Sequence, residues 1–161
     1  MFVFRNNTIE RFFPNGYSFS GYDDVSIIPE NEDAYIWFYQ APIKFDNGLL
    51  AEEINAMRQK FQMVVNQISS SKNMIAFTMD RSYLAPISDS DFRVKEAIAK
   101  YNEMLVSSAS AHSNLKVIDI REFTRQYPIA ELMDWKFYFL SQMGLNPRLA
   151  KPFQEWFAKK L

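Results

Sequence analysis

The sequence predicts an α/β fold in which helices cover both faces of one parallel β-sheet. The hydrophobic pattern switches repeatedly between short apolar runs, typical of buried strands, and long amphipathic runs, typical of helices. The chain has 161 residues, of which 48% are hydrophobic and 16% aromatic. This length and composition suffice for one domain with a substantial core. We therefore expect a single domain over residues 1–161.

Five short apolar runs are predicted to be the strands of this sheet. Polar or turn-forming residues bound them, as is usual at strand ends. The third run is apolar throughout, which is expected of a strand buried on both faces. In chain order the five runs are Phe2–Arg5, Val25–Ile28, Ala34–Tyr39, Met74–Met79 and Leu115–Asp119.

Two long helices are predicted between the later strands. The first covers residues 48–69, where apolar side chains recur at spacings of three and four, and Asp46 or Asn47 is its expected cap. The second begins near Ser90 and Asp91, which can also cap a helix. Its apolar stripe consists of Val94, Ile98, Tyr101, Leu105 and Ala109.

A final helix is predicted to begin near Pro147. The alternation of strands and helices along the chain also predicts a strand order. The side chains that this helix presents to the sheet are Leu149, Phe153, Trp156 and Phe157. Crossovers between parallel strands are right-handed and short, so the expected order is 2-1-3-4-5, as in a flavodoxin-like sheet. Such sheets bind ligands at the carboxyl ends of their strands.

Composition and charge argue against several classes of partner. Eighteen basic and nineteen acidic side chains give a net charge of -1, which provides no general attraction to nucleic acid or to an anionic membrane. The apolar runs are far shorter than the roughly 20 residues of a spanning helix, and no secretory signal is recognisable. Cysteine is absent and histidine occurs once. We expect a cytoplasmic protein with no metal, no cofactor, no nucleic acid and no membrane partner.

The expected ligand edge carries polar residues from separate parts of the chain. They are Arg5, Asn6, Asn7 and Thr8 at the end of the first strand, Gln40 after the third, and Asn146 before the last helix. Such a cluster could bind an anion or an acyl carbonyl, because donors at a helix N-terminus do this without a base. For Thr8 and Asn146, helix capping is the simpler interpretation.

A second polar group lies within an aromatic segment upstream of the last helix. Asp134 and Lys136 flank Trp135, and the segment continues to Phe139. Lys136 could pair with Asp134 or Asp119, or reach a phosphate or phosphopantetheine on a partner, although a lone lysine is more often a solvated charge. The aromatic side chains suit either the core or a docking surface for another domain.

The single histidine, His112, is expected to have a structural role. It falls near the end of the second long helix, on the buried register. In the predicted strand order that helix ends at the amino-terminal edge of the sheet, opposite the expected ligand edge. It is therefore not expected to serve as the base of a catalytic site.

Two stretches of the chain resemble altered catalytic blocks of SGNH-type esterases. In that family a serine nucleophile follows the first strand in G-D-S-[IL]-T, and a histidine precedes the last helix in D-G-L-H-P. The corresponding stretches here are Asn6-Asn7-Thr8-Ile9-Glu10 and Met143-Gly144-Leu145-Asn146-Pro147. The resemblance places Thr8 at the nucleophile and Asn146 at the histidine. Because an amide cannot accept a proton at neutral pH, it implies a degenerate catalytic site.

A resemblance to a second family covers essentially the whole chain. The residues that carry it are Arg5, Asn7 and Thr8, the range Tyr35 to Asn47, and the range Asp134 to Ala150. In these positions the sequence is similar to the amino-terminal domain of FkbH-like proteins. There an SGNH-like domain precedes a HAD-type phosphatase domain of subfamily IIIC, whose D-x-D-x-T motif is absent here. The resemblance implies an adjacent HAD-type phosphatase domain as a partner, and an acyl carrier protein as a further one.

Three functions follow as hypotheses. The preferred one is a non-catalytic module that binds or positions a substrate or an acyl or carrier group for the phosphatase domain. The second is an esterase that uses Thr8 with an unconventional base, Asp134 or Asp119, and the third is a plain docking domain. The expected binding residues are Arg5, Asn6, Asn7, Gln40, Asp134 and Lys136.

Overall fold

The computed structural model describes residues 1–42, 46–80, 92–141 and 143–161. Within these ranges, five parallel strands form one sheet. In chain order they are β1 (Phe2–Arg5), β2 (Ser18–Tyr22), β3 (Ala34–Phe38), β4 (Asn73–Phe77) and β5 (Leu115–Ile118). Their spatial order is β2-β1-β3-β4-β5. The predicted fold class and strand order are confirmed.

Helices lie against both faces of the sheet. In chain order they are α1 (Asn47–Gln67), α2 (Phe92–Ala111), α3 (Arg121–Thr124), α4 (Ile129–Leu132), α5 (Trp135–Ser141) and α6 (Ala150–Ala158), with single 3₁₀ turns at Glu10–Phe12 and Pro147–Leu149. The long helices α1 and α2 cover one face, and α6 with the Glu10–Phe12 turn covers the other. None of the helices in the described ranges combines the length and apolar character needed to cross a bilayer.

Successive side chains of each strand alternate between two hydrophobic cores, because the side-chain period of a strand is two residues. On β3, Tyr35 and Trp37 join the core beneath α1 and α2. Ile36 and Phe38 join the core beneath α6. Every residue of β3 is buried, which explains why this run contains no charged side chain.

The long helices begin and pack largely as the sequence predicts. The carboxylate of Asp46 accepts a hydrogen bond from the Leu49 amide at 3.0 Å, so Asp46 is the cap of α1. The predicted stripe of α2 contributes Val94, Tyr101 and Leu105 to the core. The predicted start of α2 at Ser90 and Asp91 lies outside the described residues.

The core beneath α6 is built around Phe153. This ring contacts five phenylalanine rings from outside α6, with centroids 5.2 to 6.0 Å away and mostly in edge-to-face geometry. The five are Phe12, Phe13, Phe38, Phe77 and Phe123. Edge-to-face pairs add roughly 0.5–1.5 kcal/mol each beyond the area that they bury. The high aromatic content of the chain is thus used to join α6 to the sheet.

The second strand is the part of the fold that the sequence pattern predicted wrongly. Residues Ser18–Tyr22 form β2, whereas the predicted run Val25–Ile28 does not pair with the sheet. Because β2 lies at the edge and pairs only with β1, it needs little apolar character, and Ser20 is its only buried residue. Val25 and Ile28 instead pack as partly buried side chains against the core beneath α1.

A buried hydrogen bond links the centre of the sheet to α2. The indole N–H of Trp37 donates to the hydroxyl of Tyr101 at 2.6 Å, and both side chains are fully buried. Burial raises the pKa of Tyr101 above its ordinary value, so the hydroxyl stays neutral. Trp37 also stacks on Tyr39, with ring centroids 3.9 Å apart.

Replacing Tyr101 with Phe is expected to lower the free energy of unfolding by about 1–3 kcal/mol, because the Trp37 N–H would remain buried without an acceptor. Urea denaturation measures the change. The matched control is Tyr127→Phe, since Tyr127 is half-buried and its hydroxyl forms no hydrogen bond with the described residues. An equal loss of stability in both variants would contradict the assignment.

Candidate functional site

Polar side chains from four parallel strands meet at the carboxyl edge of the sheet. They are Asn6, Asn7 and Thr8 after β1, Gln40 after β3, Thr78 and Asp80 after β4, and Asp119 after β5. Doubly wound sheets bind their ligands at this edge. It is therefore the candidate site of the chain, and hydrogen bonding decides what chemistry its side chains can support.

Asn6 and Gln40 are joined by two hydrogen bonds. The Asn6 amide Nδ2 donates to the Gln40 carbonyl at 2.6 Å, and the Gln40 backbone N–H donates to Asn6 Oδ1 at 3.1 Å. The last backbone pair between these strands is Arg5 with Phe38. The Asn6 side chain therefore continues the β1–β3 pairing beyond the ends of the strands.

The Gln40 side chain extends this bonding to β4. It is buried, its Nε2 donates to the Thr78 carbonyl at 2.8 Å, and its Oε1 accepts from the Asp80 N–H at 3.0 Å. Both polar atoms of the amide are thus bonded to backbone groups. Buried backbone groups need hydrogen-bond partners. The Gln40 side chain supplies the two hydrogen bonds that a longer β3 strand would otherwise have made to β4.

The hydroxyl groups of Thr78 and Thr124 extend the hydrogen bonding to the end of β5 and to α3. Thr78 Oγ1 donates to Asp119 Oδ1 at 3.1 Å and accepts from the Ile120 N–H at 3.0 Å. Thr124 Oγ1 donates to Asp80 Oδ2 at 2.7 Å. We call the connected set Asn6, Gln40, Thr78, Asp80, Asp119 and Thr124 the edge network.

Thr78, Asp80 and Thr124 were not predicted from the sequence as site residues. A signal for two of them was present, because Thr78 and Asp80 follow the apolar run of β4 as Asn6 follows β1 and Gln40 follows β3. Thr124 carried no comparable signal, since it belongs to α3 and reaches Asp80 only through the fold.

Thr8, the residue at the expected nucleophile position, bonds to β2. Its hydroxyl lies 2.5 Å from the hydroxyl of Tyr22. The following 3₁₀ turn begins at Glu10, with Ile9 at the cap position and no capping side chain. The interpretation of Thr8 as a helix cap is therefore wrong.

Arg5 is held against the same strand. Its Nε donates to the Ser20 carbonyl at 2.8 Å, and its guanidinium pairs with Glu10. The guanidinium also lies over the Tyr22 ring, 4.6 Å from the centroid. These contacts attach the end of β1 to β2 and use much of the donor capacity of Arg5.

Asn146, the residue at the expected histidine position, is a cap. Its Oδ1 accepts from the Arg148 N–H at 3.2 Å, and its Nδ2 donates to the Glu131 carbonyl at 3.1 Å. The capping interpretation is confirmed. Among the described residues, Thr8 and Asn146 have different hydrogen-bond partners, and no hydrogen bond joins them.

His112 lies at the opposite edge of the sheet. Its carbonyl accepts from the N–H of Leu115, the first residue of β5, at 3.0 Å. The predicted position of His112 at the amino-terminal edge is confirmed. Its imidazole therefore lies at the far end of the strands from Thr8.

The charged pair in the aromatic segment has a local role. Asp134 Oδ1 accepts from the N–H groups of Lys136 and Phe137, at 2.9 and 3.4 Å, at the start of α5. The Lys136 side chain is exposed and forms no ion pair with any described residue. Asp119, its other suggested partner, pairs with Arg121 at 2.8 Å.

Thr78 and Thr124 hydrogen-bond to the carboxylates of Asp119 and Asp80. Thr8, at the expected nucleophile position, bonds to a phenol and contacts no carboxylate within the described ranges. The suggested bases are bonded elsewhere, Asp119 to Arg121 and Thr78, and Asp134 to the first turn of α5. Hydrogen bonds from Arg121 lower the pKa of Asp119, which makes this carboxylate a weaker base. The described residues contain no group of three metal-binding side chains either.

One atom at this edge retains bonding capacity. Asn7 Oδ1 is buried and has no hydrogen-bond partner among the described residues. The Asn7 Nδ2 makes a single long bond, 3.4 Å, to Asn6 Oδ1. Asn7 Oδ1 is thus a buried acceptor with capacity for a further hydrogen bond. Neither Thr8 nor Asn146 contacts a base among the described residues.

The sequence matches no protein-family model and no curated protein. The fold is similar to the crystal structure of the N-terminal part of the protein BF1531 from Bacteroides fragilis, which is described as containing a phosphatase domain and as complexed with Mg. The TM-score is 0.55 and the sequence identity is 13%. The match covers 92% of this chain and 47% of that one, so this chain spans about half the length of the structure that it matches.

Replacing Gln40 with Leu is expected to lower the free energy of unfolding by about 2–4 kcal/mol, because the Thr78 carbonyl and the Asp80 N–H would lose their partner in a buried place. Thermal and urea unfolding measure the loss. The control is Gln67→Leu, at the exposed end of α1, which should change stability by less than about 0.5 kcal/mol. If Gln40→Leu were as stable as the control, the edge network would not contribute to stability.

Proposed function

We propose that this chain is a non-hydrolytic α/β module that works with an adjacent HAD-type phosphatase domain, for which it binds or positions a substrate or an acyl or carrier group. The observation that carries the proposal is the bonding of Thr8 and Asn146. The first is paired with Tyr22 and the second caps the turn before α6. At both expected catalytic positions the side chain has a structural partner.

Hydrolysis by Thr8 would require a base that removes the proton of its hydroxyl. A threonine hydroxyl becomes a useful nucleophile only when a base within about 3 Å removes its proton. The hydrogen-bond partner of Thr8 is a phenol, and the carboxylates of Asp119 and Asp134 bond to other groups. We therefore assign the edge a binding or supporting role.

The partnership with a phosphatase domain is supported by the resemblance to FkbH-like proteins and by the fold of the Bacteroides fragilis protein. That protein is described as containing a phosphatase domain, and more than half of its chain lies outside the match. This coverage is consistent with a domain of this fold beside a phosphatase domain in a single polypeptide. We propose the same arrangement for this chain, either in one polypeptide or as two interacting proteins.

Two groups are proposed to contact the bound substrate or carrier group. Asn7 Oδ1, which has no hydrogen-bond partner among the described residues, can accept a hydrogen bond from an amide or a hydroxyl. The exposed ammonium of Lys136 can pair with a phosphate, such as that of phosphopantetheine. The other predicted binding residues, Arg5, Asn6, Gln40 and Asp134, would support these two through their own hydrogen bonds.

The absence of hydrolase chemistry is tested with short acyl nitrophenyl esters. The chain is expected to hydrolyse them no faster than heat-denatured protein, and Thr8→Ala should leave that rate unchanged, because no base activates the hydroxyl. Turnover that Thr8→Ala abolishes would establish the esterase hypothesis instead. Turnover that survives this change would show that Thr8 is not the nucleophile.

The carrier-group hypothesis is tested by titrating isotope-labelled chain with 4′-phosphopantetheine. Amide shifts are expected at Asn7 and Lys136. Lys136→Ala should weaken binding about two- to fivefold, the usual effect of one exposed ion pair. The matched control, Lys95→Ala, removes an exposed lysine from α2 and should not alter binding. If neither amide shifts at millimolar ligand, the chain does not bind this group.

A further inference from the structure

Helix α5 is apolar and yet has no buried residue. Trp135 is 39% exposed, Phe137 38%, Phe139 60% and Leu140 73%. We call these four side chains the α5 apolar face. Tyr138 is the α5 residue that packs, partly buried, against the core beneath α6.

The exposed side chains occupy most of the circumference of this helix. At 100° per residue, Trp135 and Phe139 lie within about 40° of each other, and their rings stack with centroids 5.8 Å apart. Leu140 and Phe137 continue around the helix on the side away from Tyr138. A helix that is hydrophobic nearly all round is normally buried. Among the residues that the structure describes, none buries the α5 apolar face.

Both ends of α5 are anchored to the rest of the domain. At the start, the Asp134 carboxylate accepts bonds from two amides of the first turn, next to the buried residues Leu132 and Met133. After the helix, Met143 and Leu145 return to the core. The helix is therefore presented in a defined orientation, as a preorganised binding surface requires.

We propose that the α5 apolar face is the surface on which the adjacent HAD-type phosphatase domain docks. This inference rests on the proposed function and names the contact through which the two domains would act together. The partner surface would be an apolar groove that accepts Phe139 and Leu140.

The size of the face favours a neighbouring domain of the same polypeptide over a second copy of this chain. Its four side chains expose on the order of 400 Å² together. A stable dimer of separate chains buries about 800 Å² on each partner. Interfaces between domains of one polypeptide are smaller, about 300–750 Å² on each side, because the linker supplies a high effective concentration.

The charge of the segment argues against a membrane surface as the occupant. Interfacial helices carry several lysine or arginine residues on their polar face. Lys136 is the only basic residue of α5, and the whole chain has a net charge of -1. Attraction to an anionic bilayer is therefore weak, whereas aromatic and leucine side chains are typical of the centre of a protein interface.

The test uses the isotope-labelled chain and a purified HAD-type phosphatase domain that is encoded in the same or the neighbouring reading frame. On titration, the indole N–H signal of Trp135 should shift, while that of the buried Trp37 should not. Leu140→Glu is expected to weaken binding at least tenfold, as for a residue central to an interface. Val106→Glu is the matched control, because Val106 is an exposed apolar residue of α2, on the face of the sheet opposite Tyr138.

Each outcome has a distinct meaning. Binding that Leu140→Glu disrupts and Val106→Glu does not supports the inference. Equal binding by both variants and the unmodified chain overturns the docking surface but leaves the proposed partnership intact. Failure of the unmodified chain to bind at millimolar concentration, or the lack of any such domain in either reading frame, overturns the partnership itself. A concentration-dependent dimer that Leu140→Glu dissociates would identify a second copy as the occupant and overturn the inference.

Discussion

The double hydrogen bond between Asn6 and Gln40 is the constraint on which the carboxyl edge of this protein depends. It continues the pairing of two central strands beyond their backbone ladder, and the Gln40 amide then carries the bonding to β4. Parallel strands that end at one edge leave backbone groups without partners. Here side chains supply the missing hydrogen bonds. Thr78 bonds to Asp119, which follows β5, and Asp80 accepts a hydrogen bond from Thr124 of α3.

This use of the edge determines what the site can do. In a doubly wound hydrolase the same positions must hold a nucleophile, a base and oxyanion donors that are free to meet a substrate. In this chain the hydroxyl of Thr8 faces Tyr22, and the amide of Asn146 caps a turn. The side chains of Thr8 and Asn146 therefore form structural hydrogen bonds at positions where hydrolysis would need a free nucleophile and a base. Among the described residues at this edge, Asn7 Oδ1 is a buried acceptor without a hydrogen-bond partner.

The α5 apolar face and the edge network differ in what they contribute to this chain. The edge network joins the ends of the strands through hydrogen bonds. The anchored segment around α5 leaves most of an apolar helix exposed, while Tyr138 packs against the core beneath α6. Burying that helix against another domain would complete a core that this chain leaves open. Stability at the edge and incompleteness at α5 are consistent with a module that works as part of a larger assembly.

The sequence by itself determined the fold class, the strand order, a start of α1 at Asp46 or Asn47 and the inward face of α6, and it favoured a capping role for Asn146. These features follow from local periodicity, capping chemistry and the handedness of crossovers, all of which are written in short stretches of chain. Only the tertiary structure decided that β2 is Ser18–Tyr22, since an edge strand is defined by its neighbour and needs no strong apolar pattern. The partners of Gln40, Thr8 and Asp80 were likewise set by the fold, because they lie 14 to 44 residues apart in sequence. From the sequence, the aromatic segment around α5 could be either core or docking surface. Only the tertiary structure showed that most of its side chains are exposed.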